Sequence, residues 1–473
     1  METEWKKNRI FTGEVVGYTS DGAGVVRPED GPVTFVPGAL RGETCEIRLL
    51  KVGRAAAWGK VEQVLLPSPH RTAPACPAAR TCGGCALLHM DYEEELAFKR
   101  QKVQDAFARI GGLDVEVSAI HGAPRIEGYR NKAIFSFAMR DGAPAAGFFR
   151  PRSHDVVPAD ACRIQTPGAN AAAAAVCRWM AKNGVPAYDW QTHTGAVRHV
   201  FCRSAADGAL QATLVTAEPD LPDLDGLIAE LRAAVPGLAS VVLNENRTPG
   251  STVLTGTFST LWGADALEDT LCGLRFSLSP RSFYQVNREQ AEALYEKALE
   301  YAGLTGRETV LDLYCGTGTI TLCLARRAGR AIGAEIVADA VRDARENAAR
   351  NGVSNAEFHC ADAAEIAARL RAEGLRPDVI TVDPPRKGLA PEVVDAVAGM
   401  APDRVVYISC DCATLARDAA RFAALGYAVR RAEAFDLFPR TAHVETVCLL
   451  CRQKKDLISA PYEPKASDEL KMY

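Results

Sequence analysis

The sequence predicts an α/β protein of several domains: a C-terminal Rossmann-like, doubly wound domain, an α+β central domain and a small N-terminal OB-like β-barrel. Three observations predict it. The chain has 473 residues, too many for one core, so about three domains are expected. Residues from about 10 to 66 are short β-rich runs cut by Gly, Pro and Asp. The C-terminal part alternates strands and helices strictly, the pattern of a parallel sheet covered on both faces.

Composition sets limits on function. Hydrophobic residues at 48% and charged residues at 24% fit a soluble globular protein. No apolar run reaches the length that spans a bilayer. METEWKKNRI has no apolar segment of the secretory kind. A cytoplasmic location is expected, where the 15 cysteines serve as thiols, metal ligands or catalytic groups rather than disulfides. The net charge of -4 gives no global basic field, so nucleic-acid binding must rest on local patches and shape.

The runs GEVVGYTSDGAGVV, VTFVPGAL, TCEIRLLKV and AAWGKVEQVL read as strands of an antiparallel barrel. Such a module binds unpaired RNA or serves structure alone. Beyond it, Cys76, Cys82 and Cys85 give a C-x5-C-x2-C spacing with a Gly-Gly pair that allows a tight turn about a centre. A four-coordinate site needs one more ligand, for which His89, Cys162, Cys177 and Cys202 are candidates; Cys162, in the polar stretch PADACRIQ, suits a ligand from a distant loop. Four thiolates suit an iron–sulfur cluster or a structural zinc. The bland alternative is three unrelated thiols in a Pro-rich linker.

Residues 91–110 read as a helix, with Leu96, Val103, Phe107 and Ile110 along one stripe and Gly111-Gly112 as its stop. The stretch GYRNKAIFSFAMRDGAPAAGFF alternates with period two about a hairpin signal at Asp141-Gly142. Arg125, Arg130, Lys132, Arg140, Arg150 and Arg152 interleave there with Tyr129, Phe135, Phe137, Phe148 and Phe149. Cations among aromatics fit unpaired RNA; a sheet with one apolar and one solvated basic face gives the same pattern. The Ala171–Ala175 run belongs to a helix ending near Asn183-Gly184.

TVLDLYCGTGTITLCLA reads as a buried strand, a turn with Gly316 and Gly318, and a helix. Nineteen residues past Gly316 the strand AIGAE ends in Glu335, where a carboxylate accepts both hydroxyls of a ribose. Thr321 stands where a dinucleotide fingerprint needs its third glycine, and Asp312 opens the turn. S-adenosylmethionine (SAM) is therefore expected rather than NAD, with Asp362 facing the adenine edge. DVITVDPPRKGL presents Asp383, Pro384, Pro385 and Arg386 at the end of another strand. In VVYISCDCATLARD a buried strand, Val405 to Ile408, ends at Ser409 and Cys410 and opens into a short helix past Thr414. A cysteine at that end of a parallel strand sits where open α/β sheets bind ligands.

Five motifs, SFYQVN (282–287), DLYCGTGT (312–319), DPPRKGL (383–389), SCDCATLARD (409–418) and FPRTAHVETV (438–447), together resemble those of RNA uracil-C5 methyltransferases, in the same order. The N-terminal barrel resembles the TRAM domain. The Cys76/Cys82/Cys85/Cys162 pattern resembles the [4Fe-4S] site of the branch that modifies 23S ribosomal RNA. The resemblance spans nearly the whole chain and implies the domains: barrel 1–66, central RNA-binding domain 67–275 with the iron–sulfur cysteines and with helix 91–110 open to packing on the C-terminal domain, SAM-dependent methyltransferase domain 276–455, polar tail 456–473. It implies Cys410 as the nucleophile that adds to carbon 6 of the base and Glu445 as the base that removes the carbon-5 proton. It assigns Gln285, Tyr314, Glu335 and Asp383 to the cofactor or the target base, and Phe283 to packing on the flipped uracil. The expected partner is an unpaired or loop uridine of 23S rRNA, with a tRNA T-loop uridine as the alternative. Neither DNA nor a membrane is expected, and the protein is expected to be a monomer. A non-catalytic iron–sulfur RNA-binding protein is the reading from another class.

Two departures from the family pattern matter. Asp411-Cys412 replaces the usual Asn-Pro after the nucleophile, and a charge at Asp411 is expected to raise the Cys410 pKa, against the lowering expected from a helix start without apolar cover. Arg440 stands where Gln or Met often precedes the T-x-H-V-E motif.

Overall fold

The computed structural model describes residues 5–453; the tail 456–473 lies outside the described residues. Five strands, Ile10–Tyr18, Gly24–Val26, Thr34–Val36, Thr44–Val52 and Ala57–Leu66, close into a barrel. Their alternation points Val15, Val26, Val36, Cys45 and Ile47 inward, where all five are buried. Buried Glu43 holds the exit of the barrel, accepting from Leu40 N at 2.8 Å and from the Arg71 guanidinium at 2.7 Å.

A seven-stranded sheet follows, in the order Thr257–Gly263, Leu238–Glu245, Leu210–Thr216, Val197–Ser204, Lys132–Arg140, Ala143–Phe149 and Val156–Pro158. Its hairpin turns at Asp141 and Gly142 with φ of 49° and 81°, the paired positive values of a tight two-residue turn. Helix Pro167–Asn183 packs Trp179 and Met180 onto the sheet and stops at Gly184, in the left-handed region at φ 63°.

The third body is an eight-stranded sheet, ordered Ala356–Cys360, Arg330–Glu335, Thr309–Leu313, Val379–Val382, Arg404–Ser409, Glu445–Arg452, Tyr427–Phe435 and Val117–His121. The first five strands are parallel, and Glu445–Arg452 runs antiparallel to both its neighbours. Strand order reverses between Thr309–Leu313 and Val379–Val382, which opens a crevice at their carboxyl ends. Two pieces of this body come from early in the chain. Helix Tyr92–Arg109 buries Val103, Ala106 and Phe107 in its core, and Val117–His121 pairs parallel with Tyr427–Phe435. Both lie within the stretch 67–275 that the sequence assigns to the central domain.

That helix also differs from its expected stripe. Ile110 is exposed, whereas Glu94, Glu95 and Lys99 are buried. The charges go inside because their partners are there: Lys99 Nζ donates to Glu95 at 2.7 Å, to Asp436 at 2.7 Å and to Phe438 O at 3.2 Å. Among the described residues, no helix is long and apolar enough to cross a membrane.

Candidate active site

The turn after Thr309–Leu313 is built from left-handed backbone, with φ of 69° at Tyr314, 54° at Gly316 and 83° at Gly318. A Cβ at Gly318 would also come within 3.1 Å of Ala344 Cβ and 3.2 Å of the Phe358 ring, so the position requires glycine. Buried Asp312 accepts from Thr321 Oγ1 at 2.5 Å and Thr381 Oγ1 at 2.6 Å. Thr321 therefore stands in place of a third glycine because its hydroxyl braces the acid that opens the turn. Glu335 accepts from Gly316 N at 3.2 Å and Val337 N at 2.9 Å, so its carboxylate caps the same turn.

A cleft of about 730 Å³ runs past this turn, and its wall includes Ser282, Phe283, Gly316, Glu335 and Asp343. Gln285, Tyr314 and Asp383 are not part of that wall. Gln285 is buried, and Tyr314 is half-buried, its phenol pushed up to about 12 by burial and by Asp362, Asp418 and Glu335. Asp362 is the N-cap of helix Ala363–Ala372, with its Oδ1 accepting from Ala364 N at 2.9 Å.

The reactive end lies at the carboxyl edge of the same sheet. Ser409 pairs with Thr446, and continuing that antiparallel register sets Cys410 opposite Glu445. Asp383 follows Val379–Val382, the neighbouring strand. The three groups feel one another. Burial pushes Glu445 up to about 8, with Asp383 adding and Arg386 opposing. Burial and Asp312 push Asp383 up to about 7. Cys410 is pushed up to about 11 by burial, then by Glu445 and Asp383, against Arg386. The expected lowering of the Cys410 pKa at a helix start is thus reversed, because burial and two acids outweigh the helix.

Asp411 is not the cause of that rise. The helix begins at Cys412, earlier than the expected start past Thr414, and runs Cys412–Ala424 with Asp411 as its N-cap. The Asp411 carboxylate accepts from Ala413 N at 2.9 Å and Thr414 N at 3.1 Å. Cys412 is buried beneath Lys102 O, 3.9 Å away. Arg440 takes a left-handed φ of 72°, and its N–H donates to Glu95 at 2.7 Å. Its carbonyl accepts from Ala86 N at 3.0 Å and Leu87 N at 3.1 Å, tying the loop before Glu445 to the segment that carries Cys82 and Cys85.

Cys76, Cys82, Cys85 and Cys162 line one cavity of about 520 Å³, together with Arg130 and Lys132; His89, Cys177 and Cys202 are not in its wall. Burial and the neighbouring cysteines push the Cys85 thiol up to about 12. Among the described residues, no three His, Cys, Asp or Glu side chains converge closely enough to hold one metal ion. Four cysteines around a common cavity are nonetheless a donor set that fits a thiolate-ligated group.

Sequence reasoning missed Lys99, Glu95 and Asp436, which carry the loop before Glu445; it placed Arg386 at its strand end without assigning it the charge that opposes both Cys410 and Glu445. Lys99 and Asp436 lie 337 residues apart, and only the i, i+4 spacing of Glu95 and Lys99 offered a local signal.

Residues 272–453 match the family model described as tRNA (Uracil-5-)-methyltransferase. An "Uncharacterized RNA methyltransferase" of Clostridium tetani is 40% identical over 446 residues, 94% of this chain and 97% of its own. A second so named, from Halalkalibacterium halodurans, is also 40% identical over the same shares. Among solved structures, the tRNA (uracil-54, C5)-methyltransferase of Pyrococcus abyssi, bound to S-adenosyl-L-homocysteine, superposes with a TM-score of 0.75 at 27% identity, over 93% of this chain and 99% of that one. The strand–turn–helix with its acid, the cysteine facing a buried glutamate and these matches agree: the chain belongs to the SAM-dependent RNA uracil-5-methyltransferase family.

Proposed function

We propose that the protein methylates carbon 5 of a specific uridine in 23S rRNA, with Cys410 as nucleophile and Glu445 as base. The observation that carries the chemistry is the Ser409–Thr446 pair, whose register continued by one residue sets Cys410 opposite Glu445, together with the charge of Glu445 and Asp383 felt at Cys410. Carbon 5 of uracil is a weak nucleophile until a thiolate adds at carbon 6. Cys410 loses its thiol proton to solvent, the thiolate Sγ bonds to carbon 6, and the pair of the 5,6 double bond moves into an enolate that is nucleophilic at carbon 5. Bound SAM would supply the methyl that carbon 5 takes, leaving as the neutral thioether S-adenosylhomocysteine, and until then a sulfonium charge that weakens the hold of nearby acids on their protons. Glu445 then removes the carbon-5 proton, the double bond re-forms, and the C6–Sγ bond breaks to release Cys410.

Gln285, Tyr314, Glu335 and Asp383 hold the cofactor and the target base in this reading. Phe283, 64% exposed at the cleft, stacks on a uracil turned out of unpaired RNA. Cys76, Cys82, Cys85 and Cys162, which line one cavity, would hold a [4Fe-4S] cluster. A Cys76→Ser protein is expected to lose absorbance at roughly 400 nm from thiolate-ligated iron; tightly bound zinc in a colourless wild type would remove the cluster from the account.

The cysteine pattern, by its resemblance, favours 23S rRNA. The Pyrococcus abyssi enzyme, named for tRNA uracil-54 and matched over 93% of this chain and 99% of its own, favours a tRNA loop uridine. Trapping on 5-fluorouridine RNA tests the proposal. A denaturation-resistant adduct is expected with 23S rRNA fragments. An adduct with tRNA alone moves the target, and none with either RNA refutes the nucleophile.

A further inference from the structure

The segment SFYQVN, Ser282 to Asn287, belongs to no helix or strand, yet it carries both Phe283 and Gln285. An exposed ring such as Phe283 has little packing to fix it, so its place depends on the backbone beneath. That backbone is held from the central sheet. Arg203 Nη2 donates to Ser282 O at 2.7 Å. Asn131 Nδ2 donates to Gln285 O at 2.8 Å, and Asn131 N to Val286 O at 2.8 Å. The two donors share one corner of that sheet: Arg203 pairs with Lys132, and Ser204 N donates to Asn131 O at 2.8 Å.

Arg203 is a costly residue for this corner. It is 1% exposed, its Nε and Nη1 have no hydrogen-bond partner, and its other neighbours include the Phe201 ring, 5.6 Å from its Cζ, and the charge of buried Asp269. A buried, largely unpaired guanidinium destabilises a fold relative to an apolar side chain of similar size. What it does supply is a charged donor at the carbonyl just before Phe283. Asn131 repeats the pattern, its Oδ1 unpartnered while its amide serves Gln285 O.

We propose that Arg203 and Asn131 are positioning residues for methyl transfer: from the central domain they fix the backbone that presents Phe283 to the RNA and Gln285 to the cofactor. This rests on the roles given to Phe283 and Gln285 above. The two bonds fall on different residues, so their losses separate. Arg203→Met should raise KM for RNA, and lower fluorouridine trapping at limiting RNA, on the order of tenfold, the scale of one charge-assisted hydrogen bond, with KM for SAM held. Asn131→Ala should raise KM for SAM more than KM for RNA. Arg203→Lys, which keeps a donor, should restore part of the loss.

Thermal melting provides the readout that a purely structural role would not give. Arg203→Met should melt no lower than wild type, because a buried guanidinium with two nitrogens lacking hydrogen bonds is removed. Wild-type constants in both variants overturn the inference. So does a drop in melting temperature with an equal loss toward both substrates. If Arg203→Met does not fold, the claim for Arg203 is refuted and Asn131→Ala alone decides the remainder. A wild-type protein inactive on uridine would instead defeat the site assignment itself.

Discussion

Glu445→Gln separates the energetic from the chemical role of this acid. Glu445 is 3% exposed, and its carboxyl is held at about 8 against an ordinary 4.5. Because the folded value is raised, the contribution to stability is fully present below about pH 4.5 and is lost as pH rises through about 8. Each pKa unit corresponds to about 1.4 kcal/mol, so ionising Glu445 in place costs on the order of 4–5 kcal/mol above pH 8. Glutamine keeps the shape and cannot ionise. Urea unfolding of both proteins at pH 5, 7 and 9 should show the stability difference shifting in favour of Glu445→Gln by several kcal/mol across that range. Groups that do not feel Glu445 titrate alike in both proteins and cancel, while its charged neighbours Asp383 and Cys410 are relieved of repulsion in Glu445→Gln, which shifts the difference the same way. A difference independent of pH would refute the buried, raised carboxyl. The same variant should accumulate methylated RNA still bonded to Cys410; normal turnover would assign the base elsewhere.

Cys410→Ala should lose turnover and fluorouridine trapping while binding SAM as wild type does, by calorimetry; lost SAM binding would instead place Cys410 in the cofactor site. Asp411→Ala removes the cap of helix Cys412–Ala424 and should cost about 1 kcal/mol, whereas Asp411→Asn, which keeps an acceptor, should be nearly neutral in denaturant unfolding. Lys99→Met leaves Glu95 and Asp436 buried without their cation and should cost about 3–5 kcal/mol.

The strand–turn–helix around Gly316 was legible because its determinants are local. Asp312, Gly316, Gly318, Thr321 and Glu335 lie on one strand–turn–helix–strand unit, and the backbone there must take left-handed turns at two of them. The hairpin at Asp141-Gly142 and the helix stop at Gly184 were legible for the same reason. The electrostatics of Cys410 were not. Its surroundings come from Asp383, Arg386 and Glu445 on other strands and loops, and the adjacent Asp411, the one charge visible in sequence, spends its carboxylate on capping. Likewise nothing local places Val117–His121 in the catalytic sheet, since its partner strand lies more than 300 residues away. Arg203 and Asn131 read as strand residues, and their donors find Ser282 and Gln285 only once two domains are assembled.

The most direct measurement of the central claim is methyl transfer from labelled SAM to total RNA lacking 5-methyluridine, with anaerobically purified protein and digestion to nucleosides. The account predicts that the label appears as 5-methyluridine, mapping to one position in 23S rRNA. Label in tRNA alone would preserve the chemistry and change the target. Label on a ribose or an exocyclic amine would contradict the roles of Cys410 and Glu445.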